Sequence, residues 1–102
     1  MKVSKSFEAF SKEAPKVQGA WMEFVQTLDK ASALDKKTEE LVYIAVLAAV
    51  RLEGGLPFHV KMAKSLGATR EEIISAVLVG LPATGNIVIQ ALPIAVAAFD
   101  EG

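Results

Sequence analysis

Residues Glu40 to Ile74 read ELVYIAVLAAVRLEGGLPFHVKMAKSLGATREEII, and the punctuation of this stretch decides the fold. An apolar helix opens it, with Asp35 as N-cap ahead of Lys36-Lys37-Thr38-Glu39-Glu40. That helix is expected to run to about Leu52, with Glu53-Gly54-Gly55 ending it as a glycine C-cap does. Pro57 suits position N1 of the next helix, where a missing N–H costs nothing. Phe58, Met62 and Leu66 form its apolar side, and Gly67 is its expected C′ residue. Thr69-Arg70-Glu71-Glu72 is a capping box, Thr69 at the N-cap and Glu72 at N3, so a further helix starts at Arg70. It carries Ile73, Ile74, Val77, Leu78 and Leu81 as far as Pro82.

The same signals continue on both sides. Ser4 to Lys12 reads as a short amphipathic helix, with Phe7 and Phe10 on one side. Pro15 opens a second helix whose stripe is Val17, Trp21, Phe24, Val25 and Leu28. Trp21 is expected to anchor the core. At the other end, Asn86 to Phe99 is a helix apolar on every face except at Gln90, with Pro93 expected to bend it. No strand-like alternation and no useful repeat is present. The fold class is all-α, a single domain of about six helices over residues 1–102, with the N-terminal helices in 1–31.

Composition limits what such a domain does. A chain of 102 residues that is 52% apolar, with a mean hydropathy of +0.37, holds more apolar surface than one small monomer readily hides. Either it enters a membrane or it buries surface against copies of itself. Residues Ile73 to Phe99 carry no charge over 27 positions, long enough to span a bilayer. Gly80-Leu81-Pro82-Ala83-Thr84-Gly85-Asn86 would break that helix at mid-membrane and strand its backbone groups. The expectation is therefore a homo-oligomer and no membrane. Net charge is −1, from mixed clusters with no basic stripe, so no nucleic acid is expected as partner. The cysteine count is zero, which excludes disulfides, thiol redox chemistry and Cys-ligated zinc. The N-terminus, MKVSKSFEAFSKEAPK, is polar, and a cytoplasmic location is the expectation.

The residues with chemistry are Glu40, Glu53 and His59. Glu40, Ile44, Leu47 and Arg51 step by four, three and four, so they share one helical stripe. If that stripe faces inward, Glu40 is a buried carboxylate in need of a partner. His59 and Arg51 are the candidates. A Glu–His pair is a minimal acid/base unit, in which the carboxylate orients the imidazole and the imidazole moves the proton. A structural alternative stays open: His59 caps or packs, and Glu40 sits in the first turn where acidic groups suit the dipole. One histidine without cysteine cannot fill a zinc shell within the chain, so no metal is expected. Gly80-x-x-x-x-Gly85 lacks the Lys-Ser/Thr of a phosphate loop, and no cofactor is expected.

The acidic entry Leu34 to Leu41, the histidine helix, and the string Gly67-Ala68-Thr69-Arg70-Glu71-Glu72-Ile73 together resemble the carboxymuconolactone decarboxylase and alkylhydroperoxidase D superfamily. The resemblance covers about residues 34–99. It implies an all-helical subunit that assembles into trimers or hexamers, with a pocket near the histidine taking a small-molecule substrate or ligand. It implies further that Glu40 and His59 belong to an active site. The peroxidase branch needs a Cys-x-x-Cys pair seven and four residues before the histidine, and Leu52 and Gly55 stand there. The decarboxylase branch, a lyase acting on a small lactone acid, usually places a glutamate where this chain has Gly55; Glu53 in the preceding turn is the substitute to consider. Arg51 and Lys61 are the candidates for holding a substrate carboxylate. The alternatives are a non-catalytic oligomeric binding or scaffold member, or a thiol-less relative of the peroxidases.

One consequence is directly measurable. A thiolate is the nucleophile of the peroxidase reaction, so peroxide consumption with a dithiol reductant is expected to equal the rate of the reductant alone; turnover above it would refute this reading.

Overall fold

A computed structural model describes residues 3–101. The chain runs α1 (Lys5–Glu13), α2 (Pro15–Ala31), α3 (Lys36–Ala49), a 3-10 turn (Glu53–Gly55), α4 (Leu56–Ser65), α5 (Arg70–Leu78), a short α6 (Leu81–Thr84), a second 3-10 segment (Gly85–Ala91) and α7 (Leu92–Asp100). Among the described residues there is no strand.

Local hydrogen bonds start these helices where the sequence asks for them. Ser4 Oγ accepts from the Phe7 N–H at 3.2 Å, and Asp35 Oδ1 accepts from the Thr38 N–H at 2.9 Å. Thr69 Oγ1 accepts from the Glu72 N–H at 3.1 Å, while Glu72 Oε1 accepts from the Thr69 N–H at 2.9 Å. The two carboxylates are held below their usual range, Asp35 first by the Thr38 N–H and Glu72 first by the Thr69 N–H. Gly67 adopts φ +98 after α4, and Ala68 N–H closes back on Ala63 O at 2.9 Å, a Schellman stop.

α3 ends differently from expectation. Its last helical residue is Ala49, not Leu52, and the left-handed position belongs to Arg51 at φ 63. Leu52 N–H returns to Leu47 O at 3.0 Å, so the stop is again of Schellman type, but with a non-glycine residue in it. Gly54 and Gly55 are left to build the 3-10 turn that follows. A left-handed non-glycine residue costs about 1–2 kcal/mol.

The core comes from α3, α4, α5, the second 3-10 segment and α7. Ile44, Leu56, Val60, Ile73, Val77 and Val88 are its largest fully buried side chains. The buried side of α4 is Leu56, Val60 and Ala63, while Phe58 and Met62 are half-buried and Leu66 is exposed. α4 is apolar on two sides, and contact with both α3 and α7 selects this one. The inner face of the last segments is Val88, Ala91, Ala95 and Ala98, small side chains at helical spacing that let α7 lie close against its neighbours.

The uncharged run is not one helix. By length and composition Arg70–Asp100 passes as a membrane span, with a mean hydropathy of 1.7 over an 18-residue window. In the fold it breaks at Val79, turns at Gly85 and restarts at Leu92, so that α7 packs back on α5. The expected helix from Asn86 to Phe99 is thus two elements. Pro93 occupies the first turn of α7, where its missing N–H and fixed φ start a helix instead of bending one.

The N-terminal hairpin also departs from expectation. α2 has no buried residue, and Trp21 is 39% exposed. Its ring packs on Phe7 at 5.5 Å and Phe10 at 6.1 Å, between α1 and α2 and outside the core. α2 packs mainly on α1, which covers one side of it and leaves Val17, Phe24 and Leu28 in solvent. The radius of gyration, 13.9 Å, exceeds the value of about 13 Å expected for a compact chain of this length.

Gly85 offers a clean test of the turn. Its φ of +68 with ψ −143 lies in a region open essentially to glycine, yet an added Cβ would meet nothing within 4 Å. Gly85→Ala is therefore expected to lower unfolding stability by about 1–3 kcal/mol through the backbone alone. Gly19→Ala, in the body of α2 with equally open space, is expected to raise it by about 0.5–1 kcal/mol. Urea denaturation checks both.

Candidate functional site

The site follows from how α3 and α4 cross. After Arg51 the chain doubles back, and an added Cβ at Gly55 would lie 3.4 Å from a Leu47 methyl. Four residues on along α4 and four back along α3, His59 meets Tyr43, with ring centroids 4.5 Å apart. One turn further back along α3 stands Glu40. His59 Nδ1 and Glu40 Oε2 are 2.8 Å apart, a hydrogen bond across 19 residues of sequence. Phe58 holds the imidazole from another side, edge to face at 5.2 Å.

Neither member of the pair is fully buried. The side chains of His59 and Glu40 are 26% and 21% exposed, so Glu40 is not the buried carboxylate the inward stripe suggests. Ile44 and Leu47 on that stripe are buried; Arg51 is not, because α3 has ended before it. The Nε2 side of the ring takes no hydrogen bond from the described residues and is not a buried unsatisfied atom, so it opens to solvent. With Nδ1 turned to a carboxylate, the neutral ring carries its proton on Nδ1 and presents the Nε2 lone pair outward.

The remaining candidate residues lie elsewhere. Arg51 Nε donates to Glu53 Oε2 at 3.2 Å, so Glu53 turns to Arg51 and not to His59. A side chain at position 55 would begin against the Leu47 methyls, an apolar surrounding for any carboxylate. Lys61 binds Glu101 and lines a hollow of about 450 Å³ beside Ser4, Glu8 and Pro57. A second hollow, about 400 Å³, lies between α3 and α5. His59 lines neither of these two hollows. Among the described residues no three His, Asp or Glu side chains converge as a metal shell requires.

Tyr43 is the site residue that the sequence reading leaves out. It stands three residues after Glu40, hence on the same side of α3, and is 42% exposed. Being the chain's only tyrosine, set in the aliphatic run from Leu41 to Ala49, was the available signal.

The profile of the carboxymuconolactone decarboxylase family matches residues 15–97. The chain belongs to the carboxymuconolactone decarboxylase family. A solved structure with the same fold is that of a carboxymuconolactone decarboxylase family protein from Legionella pneumophila in its apo form. It superposes with a TM-score of 0.79 at 30% identity, over 93% of this chain and 85% of that one. Among curated proteins no relative matches. The matched region of the decarboxylase family begins at Pro15 and so takes in α2 as well as the helices of the core.

The tautomer is open to test. Long-range nitrogen–proton NMR of the neutral ring is expected to show the proton on Nδ1 of His59. Glu40→Ala is expected to abolish that preference, and an unchanged spectrum would mean that the carboxylate does not set it.

Proposed function

We propose that this protein is a lyase-like catalyst of proton transfer on a small carboxylated or cyclic metabolite, with decarboxylation of a lactone acid as the reaction class. The observation that carries the reading is the 2.8 Å bond from His59 Nδ1 to Glu40 Oε2, on a ring whose other nitrogen reaches solvent. Nε2 takes a proton from the substrate or returns one to it. Glu40 fixes the tautomer and stabilises the imidazolium formed when the ring is protonated. Half-burial suits this work: the pair is shielded enough to interact strongly, yet open to a substrate. Tyr43, packed on the ring, carries a hydroxyl able to hydrogen-bond a substrate oxygen. A substrate carboxylate binding Arg51 would have to displace Glu53. With no cysteine, the chemistry is not that of a thiol peroxidase.

The working form in this reading is a homo-oligomer, a trimer or hexamer. Among the described residues fourteen large apolar side chains stand exposed, and one of them, Tyr43, lies against His59. A second subunit set against Tyr43 would cover that ring and add a wall to the site.

A screen of lactones and dicarboxylates tests the proposal. For any compound consumed, His59→Ala is expected to lower turnover by about 10²–10⁴ while leaving the helical circular dichroism and the assembly unchanged. Glu40→Gln is expected to lose rate with the fold equally intact. If His59→Ala instead melts the protein and no compound is consumed, the histidine is structural and the chain is a binding or scaffold member.

A further inference from the structure

α2 carries an apolar stripe that nothing in its own chain covers. Val17, Trp21, Phe24 and Leu28 are 62%, 39%, 63% and 60% exposed, on a 17-residue helix whose main packing partner is α1. They fall at i, i+4, i+7 and i+11, the anchor spacing of a helix that lies in a groove. The same chain holds such a groove. Between α3 and α5 lies the hollow of about 400 Å³, floored by Leu41, Val42, Ala45, Ala76 and Val79, with Glu71 at its rim.

We propose that α2 of one copy docks into the α3/α5 groove of a second copy. This rests on the homo-oligomer reading above and names the surfaces that make the assembly. Length agrees: the groove spans Thr38 to Ala45 on α3, about 10 Å at 1.5 Å per residue, and Trp21 to Leu28 covers the same seven steps. Charge agrees as well. Glu71, Lys16 and Lys30 form no ion pair among the described residues. Lys16 lies in the first turn of α2, so docking with that end toward Glu71 brings the two charges together, while Lys30 lies on the side of the helix away from the stripe. Area agrees too. With aromatic side chains burying about 150–250 Å² each, the stripe still exposes on the order of 400 Å². Repeated by reciprocal exchange across a two-fold axis, the two stripes bury about 800 Å², to which the groove surface they cover adds, against about 1,200–2,000 Å² for a specific interface. The chain's own α2 is held off the groove by its packing on α1 and by the Asp29–Lys36 ion pair beside the 32–35 connection.

A chain without cysteine makes the test direct. A tagged Phe24→Cys variant is mixed with an untagged Val79→Cys variant and oxidised, since a disulfide forms only where the two Cα atoms come within about 7 Å. The expected product is a cross-linked pair of twice the 10.9 kDa chain mass, carrying one tag and absent when either variant is oxidised alone. Light scattering with Phe24→Asp is expected to show loss of the assembly with helical circular dichroism retained, and with Phe24→Leu no loss. An oligomer in which Phe24→Cys links to Val50→Cys in place of Val79→Cys would overturn the docking and leave the oligomer standing. A monomeric wild-type chain would overturn both. An internal link in a monomeric Phe24→Cys/Val79→Cys double variant would assign the groove to the chain's own α2. An apolar dye filling the groove of the intact wild-type assembly would assign it to a small ligand; both results overturn the proposal.

Discussion

The antiparallel crossing of α3 and α4 is the constraint on which the rest of the structure depends. Leu47 lies against Gly55 where α4 begins, and the Leu52 N–H bonded to Leu47 O fixes where the chain turns. Once that register is set, position 59 falls beside positions 43 and 40, with no freedom left to the loop. A shift of one residue along α4 rotates every side chain by about 100° and would turn the imidazole away from the carboxylate. Arg51 in the left-handed region shows that the turn is imposed on its sequence by packing on both sides. Local preference alone would put glycine there.

The dyad and the surface around it obey different physics. A hydrogen bond to a charged group is worth about 1.5–3 kcal/mol net, and the Phe58 and Tyr43 rings restrict the imidazole that makes it. The surrounding apolar side chains make no such directed contacts. Val42, Val46 and Val50 run along the outside of α3 with about half of their surface in water. Exposed apolar surface of that extent marks an interaction face. Order within the chain thus comes from directed bonds and close alanine packing, and the drive to associate comes from what those contacts leave uncovered.

Much of the fold was legible because helix ends are local events. Asp35, Thr69 with Glu72, Pro57 and Gly67 each act on backbone groups within four residues, so their positions in the chain suffice to read them. The Glu40–His59 pairing was legible only as a possibility from spacing, and the family resemblance singled it out. Trp21 and Pro93 depart from expectation for one reason. Which side of an apolar helix is covered, and whether a proline bends or starts a helix, depends on which distant segment arrives there. The place of Tyr43 beside the pair exists only once His59 lies against it.

By itself the sequence determined the all-helical class, the helix starts, the absence of thiol chemistry and an excess of apolar surface over what one chain hides. These rest on composition and on interactions between near neighbours. Only the tertiary structure decided that Arg51 would turn to Glu53 and Lys61 to Glu101, that the long apolar run folds back at Gly85, and that α2 stands outside the core. The physical reason is that these outcomes are competitions between partners far apart in the chain. Burial and ion pairing are settled by which of them the packed helices bring within a few ångströms.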